Sequence, residues 1–128
     1  MPELQGSIRV ASMRGEQREN GPEPGEVPIR IDRVNKTLGN PHVLHNQHDP
    51  KERDRVIALY VRDAKEDLAR GGPMHDMLEA HARRVAAGER LVYLCWCKPR
   101  ACHGDFLAEQ VRMRAQRLLP KAPKAPNA

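Results

Sequence analysis

Apolar and polar residues alternate in part over Ile8-Arg9-Val10-Ala11-Ser12-Met13, a short run followed by Gly15, and with period two over Glu26-Val27-Pro28-Ile29-Arg30-Ile31. That period predicts two short strands, separated by a polar surface loop at 16–25. Pro28 has no N–H to give to a ladder, so the second strand belongs at a sheet edge or begins there. Leu38-Gly39-Asn40-Pro41 supplies turn chemistry. The spacing then lengthens. Val56, Ile57, Tyr60, Val61, Ala64 and Leu68 recur every three or four residues, which predicts a helix entered at Asp49-Pro50-Lys51-Glu52 and stopped at Gly71-Gly72. Met74, Met77, Leu78, Ala82 and Val85 make a second, weaker helical stripe ending at Gly88.

Leu91-Val92-Tyr93-Leu94-Cys95 is a continuous apolar run of strand length, the pattern of a central strand covered on both faces. Phe106, Leu107, Val111 and Leu118 restore helical spacing, predicting a last helix from about Cys102 to Leu118. Strand, strand, helix, helix, strand, helix is an α/β order. The expected architecture is a small Rossmann-like three-layer domain with a short, mainly parallel sheet flanked by helices. One domain at 7–118 is expected, with a flexible N-terminus at 1–6 and a disordered Pro/Ala/Lys tail at 119–128.

Composition sharpens the picture in three ways. At 39% hydrophobic, 128 residues bury one modest core. With one Trp and one Phe in the chain, Trp96 stands out. The net charge of +5 favours phosphate-bearing partners, but the basic residues are dispersed. Basic residues interleaved with aromatics are missing, so a nucleic-acid module is the less favoured reading. No apolar run reaches membrane-spanning length and the first residues lack a signal-peptide pattern, so a cytoplasmic protein with no membrane partner is expected.

All three Cys fall within 95–102, where disulfides would close very short loops and stabilise little. Free thiols or metal ligands fit better. In an extended 91–97 segment, Tyr93, Cys95 and Cys97 share one face, while Cys102, His103 and Asp105 open the next helix within its positive dipole field. One reading is a site for a phosphorylated small molecule, facing Lys98, Arg100, His103 and the helix N-terminus. A second is a zinc site of Cys95, Cys97, Cys102 and His103, with spacing unlike the paired-knuckle pattern. The plainest is a buried Cys95 and a His103 that satisfies a helix end. His42, His45 and His48 are read as loop residues, His75 and His81 as surface or boundary residues, and Arg112, Arg114 and Arg117 as a wet helix face.

The run Leu94-Cys95-Trp96-Cys97-Lys98-Pro99-Arg100-Ala101-Cys102-His103-Gly104-Asp105 resembles the signature of domain of unknown function family 4326, found in phages and actinobacteria. Ile31-Asp32-Arg33 followed by Leu38-Gly39-Asn40-Pro41 resembles its Arg and Gly-Asn-Pro motif, and the likeness covers about 6–118. His42 stands where that pattern leads one to expect an aromatic. The resemblance implies a compact α/β fold and a pocket shared by two loops. One loop offers Arg33, Lys36, Gly39 and Asn40; the other offers Trp96, Cys97, Lys98, Cys102, His103 and Gly104. The expected ligand is nucleotide-like or otherwise phosphorylated, with Cys102, His103 or Asp105 as the reactive group if hydrolysis or group transfer occurs. The alternative is a non-enzymatic phage accessory or ligand-sequestering protein. No cofactor and no oligomeric state can be named from these residues.

Overall fold

The structure, a computed structural model, describes residues 4–13, 22–32, 34–42, 49–95 and 102–119. In chain order its elements are β1 (Ser7–Ser12), β2 (Glu26–Arg30), α1 (Pro50–Arg70), α2 (Pro73–Ala86), β3 (Arg90–Cys95) and α3 (His103–Leu118). The strands form a parallel sheet in the order β1-β3-β2. The apolar run at 91–95 is therefore the middle strand, as its lack of polar alternation predicts. Leu91, Val92 and Tyr93 are wholly buried. Pro28 sits opposite Val92 on β2, an edge strand of this sheet, where a missing donor costs no ladder bond.

Asp49 caps α1 as its sequence predicts, its Oδ1 accepting from Lys51 N at 2.9 Å and Glu52 N at 3.4 Å, with Pro50 at the first helical position. Val56, Tyr60 and Ala64 form the buried stripe. Gly71, at φ 71°, takes the left-handed conformation that ends the helix. The N-cap of α2 is Gly72, which has no side chain to offer. Asp67, one turn from the end of α1, reaches across instead: its Oδ1 accepts from His75 N at 2.8 Å and its Oδ2 from Met74 N at 3.3 Å. A Cβ at Gly72 would lie 2.5 Å from Asp67 Oδ2, so the glycine makes room for the borrowed cap.

Tyr93 meets His81 of α2, and Val10 and Ile31 meet Gly104 of α3. α1 packs on both other helices. Of the three layers expected, the sheet and one helical layer lie among the described residues. The terminal segments expected at 1–6 and 119–128 are described only at residues 4–6 and 119. Among the described residues no helix is long and apolar enough to cross a membrane.

Two surface assignments are corrected. His81 is 8% exposed, and its Nδ1 lies 2.6 Å from the Tyr93 hydroxyl. Its imidazole falls on the same helix face as Leu78, Ala82 and Val85, and the buried phenol satisfies it there. Arg114 is not on the wet face either: only 12% of its side chain is exposed, 3.0 Å from Glu79 on α2. Arg112 and Arg117 are exposed as expected, although Arg112 Nη2 donates to the Ile8 carbonyl at 2.8 Å.

Candidate functional site

Because all three strands run parallel, their C-terminal ends open on one edge, where Ser12 pairs with Cys95 and Arg30 with Leu94. Ile31 N continues the ladder to the Leu94 carbonyl at 2.9 Å, and the described residues 34–42 then turn over this edge. Asn35 shapes the turn. Its Oδ1 accepts from Thr37 N at 3.0 Å and Leu38 N at 2.9 Å, and its Nδ2 donates to the Arg30 carbonyl at 3.0 Å. Gly39 is required by space: a Cβ there would sit 2.5 Å from the Asp32 carbonyl oxygen and 2.6 Å from that of Asn35.

Three side chains hold this loop down. The Tyr60 hydroxyl donates to the Leu38 carbonyl at 2.7 Å, Asn40 Nδ2 to the Val56 carbonyl at 3.4 Å, and His103 Nε2 to the Ile31 carbonyl at 2.8 Å. Asn40 Oδ1 accepts from His42 N at 2.9 Å, and His42 Nε2 lies 2.7 Å from Asp63. His42 and Arg62 together hold the Asp63 carboxyl below its ordinary value. The Tyr60 and His103 rings lie 4.7 Å apart. Burial pushes the Tyr60 phenol far up, so it remains the donor.

Cys102 is the N-cap of α3, its Sγ accepting from Gly104 N at 3.3 Å. Asp105 closes a capping box by accepting from Cys102 N at 3.3 Å. Gly104 lets the helix sit on the sheet, since a Cβ there would come 2.5 Å from Ile31 Cδ1 and 3.2 Å from Val10 Cγ1. The Ile31 carbonyl only accepts, so His103 carries its proton on Nε2, and Nδ1 faces Cys102 Sγ at 3.6 Å. Cys95 Sγ lies 2.9 Å from Cys102 Sγ. Cys95, Cys102 and His103 are 1%, 2% and 5% exposed.

The edge thus brings together Gly39, Asn40, Cys102, His103 and Gly104 through shared tethers, with Asp105 exposed at its rim and Lys36 exposed on the loop. Arg33, Trp96, Cys97, Lys98, Arg100, His45 and His48 lie outside the described residues. The thiol of Cys102 and the imidazole of His103 hold the fold here. The first-turn donors expected to receive an anion are partly spent as well: Gly104 N on Cys102 Sγ, and Asp105 N on the Cys102 carbonyl at 3.1 Å. Open space lies on the loop. Asn35, Lys36, Gly39, Asn40 and Pro41 line a hollow of about 210 Å³ open to solvent. Asn35 was not singled out from the sequence, although Asn two and three residues ahead of Thr37 and Leu38 is an Asx-turn signal. Among the described residues no group of three or more His, Cys, Asp or Glu is placed to hold a metal.

A family model described as Domain of unknown function (DUF4326) matches residues 15–113. That span takes in β2 and all that follows up to the last turns of α3. No curated protein and no solved structure matches the chain.

Proposed function

This chain belongs to the DUF4326 family, and from that premise we propose that it binds a small phosphorylated, nucleotide-like molecule over the loop at the C-terminal edge of its sheet. The family carries no assigned activity, so the reading rests on one observation. A hollow lined by Asn35, Lys36, Gly39, Asn40 and Pro41 opens at the edge where parallel α/β sheets gather ligands. Lys36 makes no ion pair among the described residues and supplies positive charge at the rim. The side chains of Asn35 and Asn40 are committed to backbone groups, which fixes the wall before a ligand arrives. At about 210 Å³ the hollow is smaller than most ligand pockets. It suits a phosphate and its sugar, with the remainder of the ligand in solvent.

In this reading Cys102 and His103 position the loop rather than react with the ligand, because neither is among the described residues that line the hollow. Binding is therefore the favoured activity over hydrolysis or group transfer. The test is a thermal-shift panel of AMP, ADP, ribose 5-phosphate and pyrophosphate. A ligand present at one hundred times its Kd adds about 2.7 kcal/mol of stability, a rise of several degrees for a domain of this size. Lys36→Ala should abolish the rise without changing the melting point of the free protein. A flat response to every compound, or a rise that Lys36→Ala leaves intact, overturns the proposal.

A further inference from the structure

We propose that Cys95 and Cys102 are a reversible redox pair, closing to an intramolecular disulfide when a small peroxide oxidises Cys102. Their sulfurs stand 2.9 Å apart, so a bond of about 2.05 Å needs only a short approach. Both backbones are held: Cys95 is the last residue of the central strand and Cys102 the cap of α3. Two neighbours prepare Cys102 for attack. Gly104 N–H donates to its sulfur, supporting negative charge there. His103 Nδ1 lies 3.6 Å from that sulfur, while the ring proton is used on the Ile31 carbonyl. A helix cap alone would mean little; the second thiol and the base make a dithiol unit.

The chemistry balances with a peroxide as oxidant. Cys102 passes its proton to His103, and its thiolate attacks one peroxide oxygen. The O–O bond breaks and, for hydrogen peroxide, water leaves once protonated, giving a sulfenic acid on Cys102. The Cys95 sulfur then attacks the Cys102 sulfur, the S–O bond breaks, and the leaving hydroxide takes the Cys95 proton to form a second water. The protein loses two electrons and two protons, which reduce the peroxide. This chemistry stands whether or not an anion occupies the loop hollow. Because the closed loop is short, the disulfide serves reversible chemistry more than stability.

The full-length protein, treated with equimolar hydrogen peroxide and alkylated after denaturation, should label at one thiol instead of three; dithiothreitol should restore three. Trypsin should then yield peptide 91–100 joined to peptide 101–112. Cys97→Ser should keep the joined peptide. Cys102→Ser, whose hydroxyl preserves the helix cap, should lose it. The proposal is overturned if three thiols still label, if the joined peptide vanishes in Cys97→Ser, or if Cys102 reaches the sulfinic acid with no cross-link. Native mass spectrometry of the untreated protein overturns it too if a stoichiometric zinc ion holds the thiols.

Discussion

Burial decides which single residues keep their charge. His81 is pressed beneath the core with its Nδ1 against the Tyr93 hydroxyl. Burial, with a smaller contribution from Arg84, lowers its pKa from the ordinary 6.5 to about 4. Burial also holds the Tyr93 phenol protonated, so the phenol donates and the neutral imidazole accepts. With its folded value depressed, the unfolded chain takes up the proton first as the medium is acidified. The contribution of His81 is thus complete above pH 6.5 and falls through the window down to about pH 4, a loss of up to about 3 kcal/mol. Urea unfolding at intervals between pH 7 and 4 should show this slope, and His81→Gln should flatten it. A second acid-sensitive group acts lower. The Arg9 guanidinium, at 2.8 Å, holds Glu26 down to about 2, so that ion pair is lost below the usual carboxylate range.

Between elements, the junction of α1 and α2 depends on one carboxylate. Asp67 accepts from two backbone donors of the following helix, which its own N-cap glycine cannot satisfy. Asp67→Ala leaves both donors without that acceptor in a largely buried place and should cost about 1–3 kcal/mol in urea unfolding. Asp67→Asn, which keeps one acceptor oxygen, should cost less. This device was not legible in the chain. Asp67 falls on the stripe between Ala64 and Leu68, where an acid reads as a boundary residue; its role depends on the sharp return at Gly71-Gly72. The cap of α1 was legible, because Asp49 acts on backbone groups two and three residues away; for α3 only the start near Cys102 was, and the cap role of the cysteine came from the structure.

Across the whole molecule, the site loop is fixed by residues far from it in sequence. Tyr60 from α1 and His103 from α3 bond the Leu38 and Ile31 carbonyls, and their rings meet at a tilt of 60°. Substitutions at the two should therefore not add. In a cycle of Tyr60→Phe, His103→Gln and the double variant, the coupling measured by unfolding should be about 0.5–2 kcal/mol; independent tethers would give values near zero. By itself the sequence determined the six elements, the central place of β3 and the first turn of α3 near Cys102, while for β2 it left an edge place or a start at Pro28 open. These follow from periodicity and capping, which act over a few residues, so local order is enough to read them. Only the tertiary structure decided that His81 and Arg114 turn inward, that Cys95 and Cys102 meet, and that His103 is spent on Ile31. Those outcomes depend on which groups a parallel sheet and three helices press together, and burial can be assigned to a polar side chain only once its distant partner is in place.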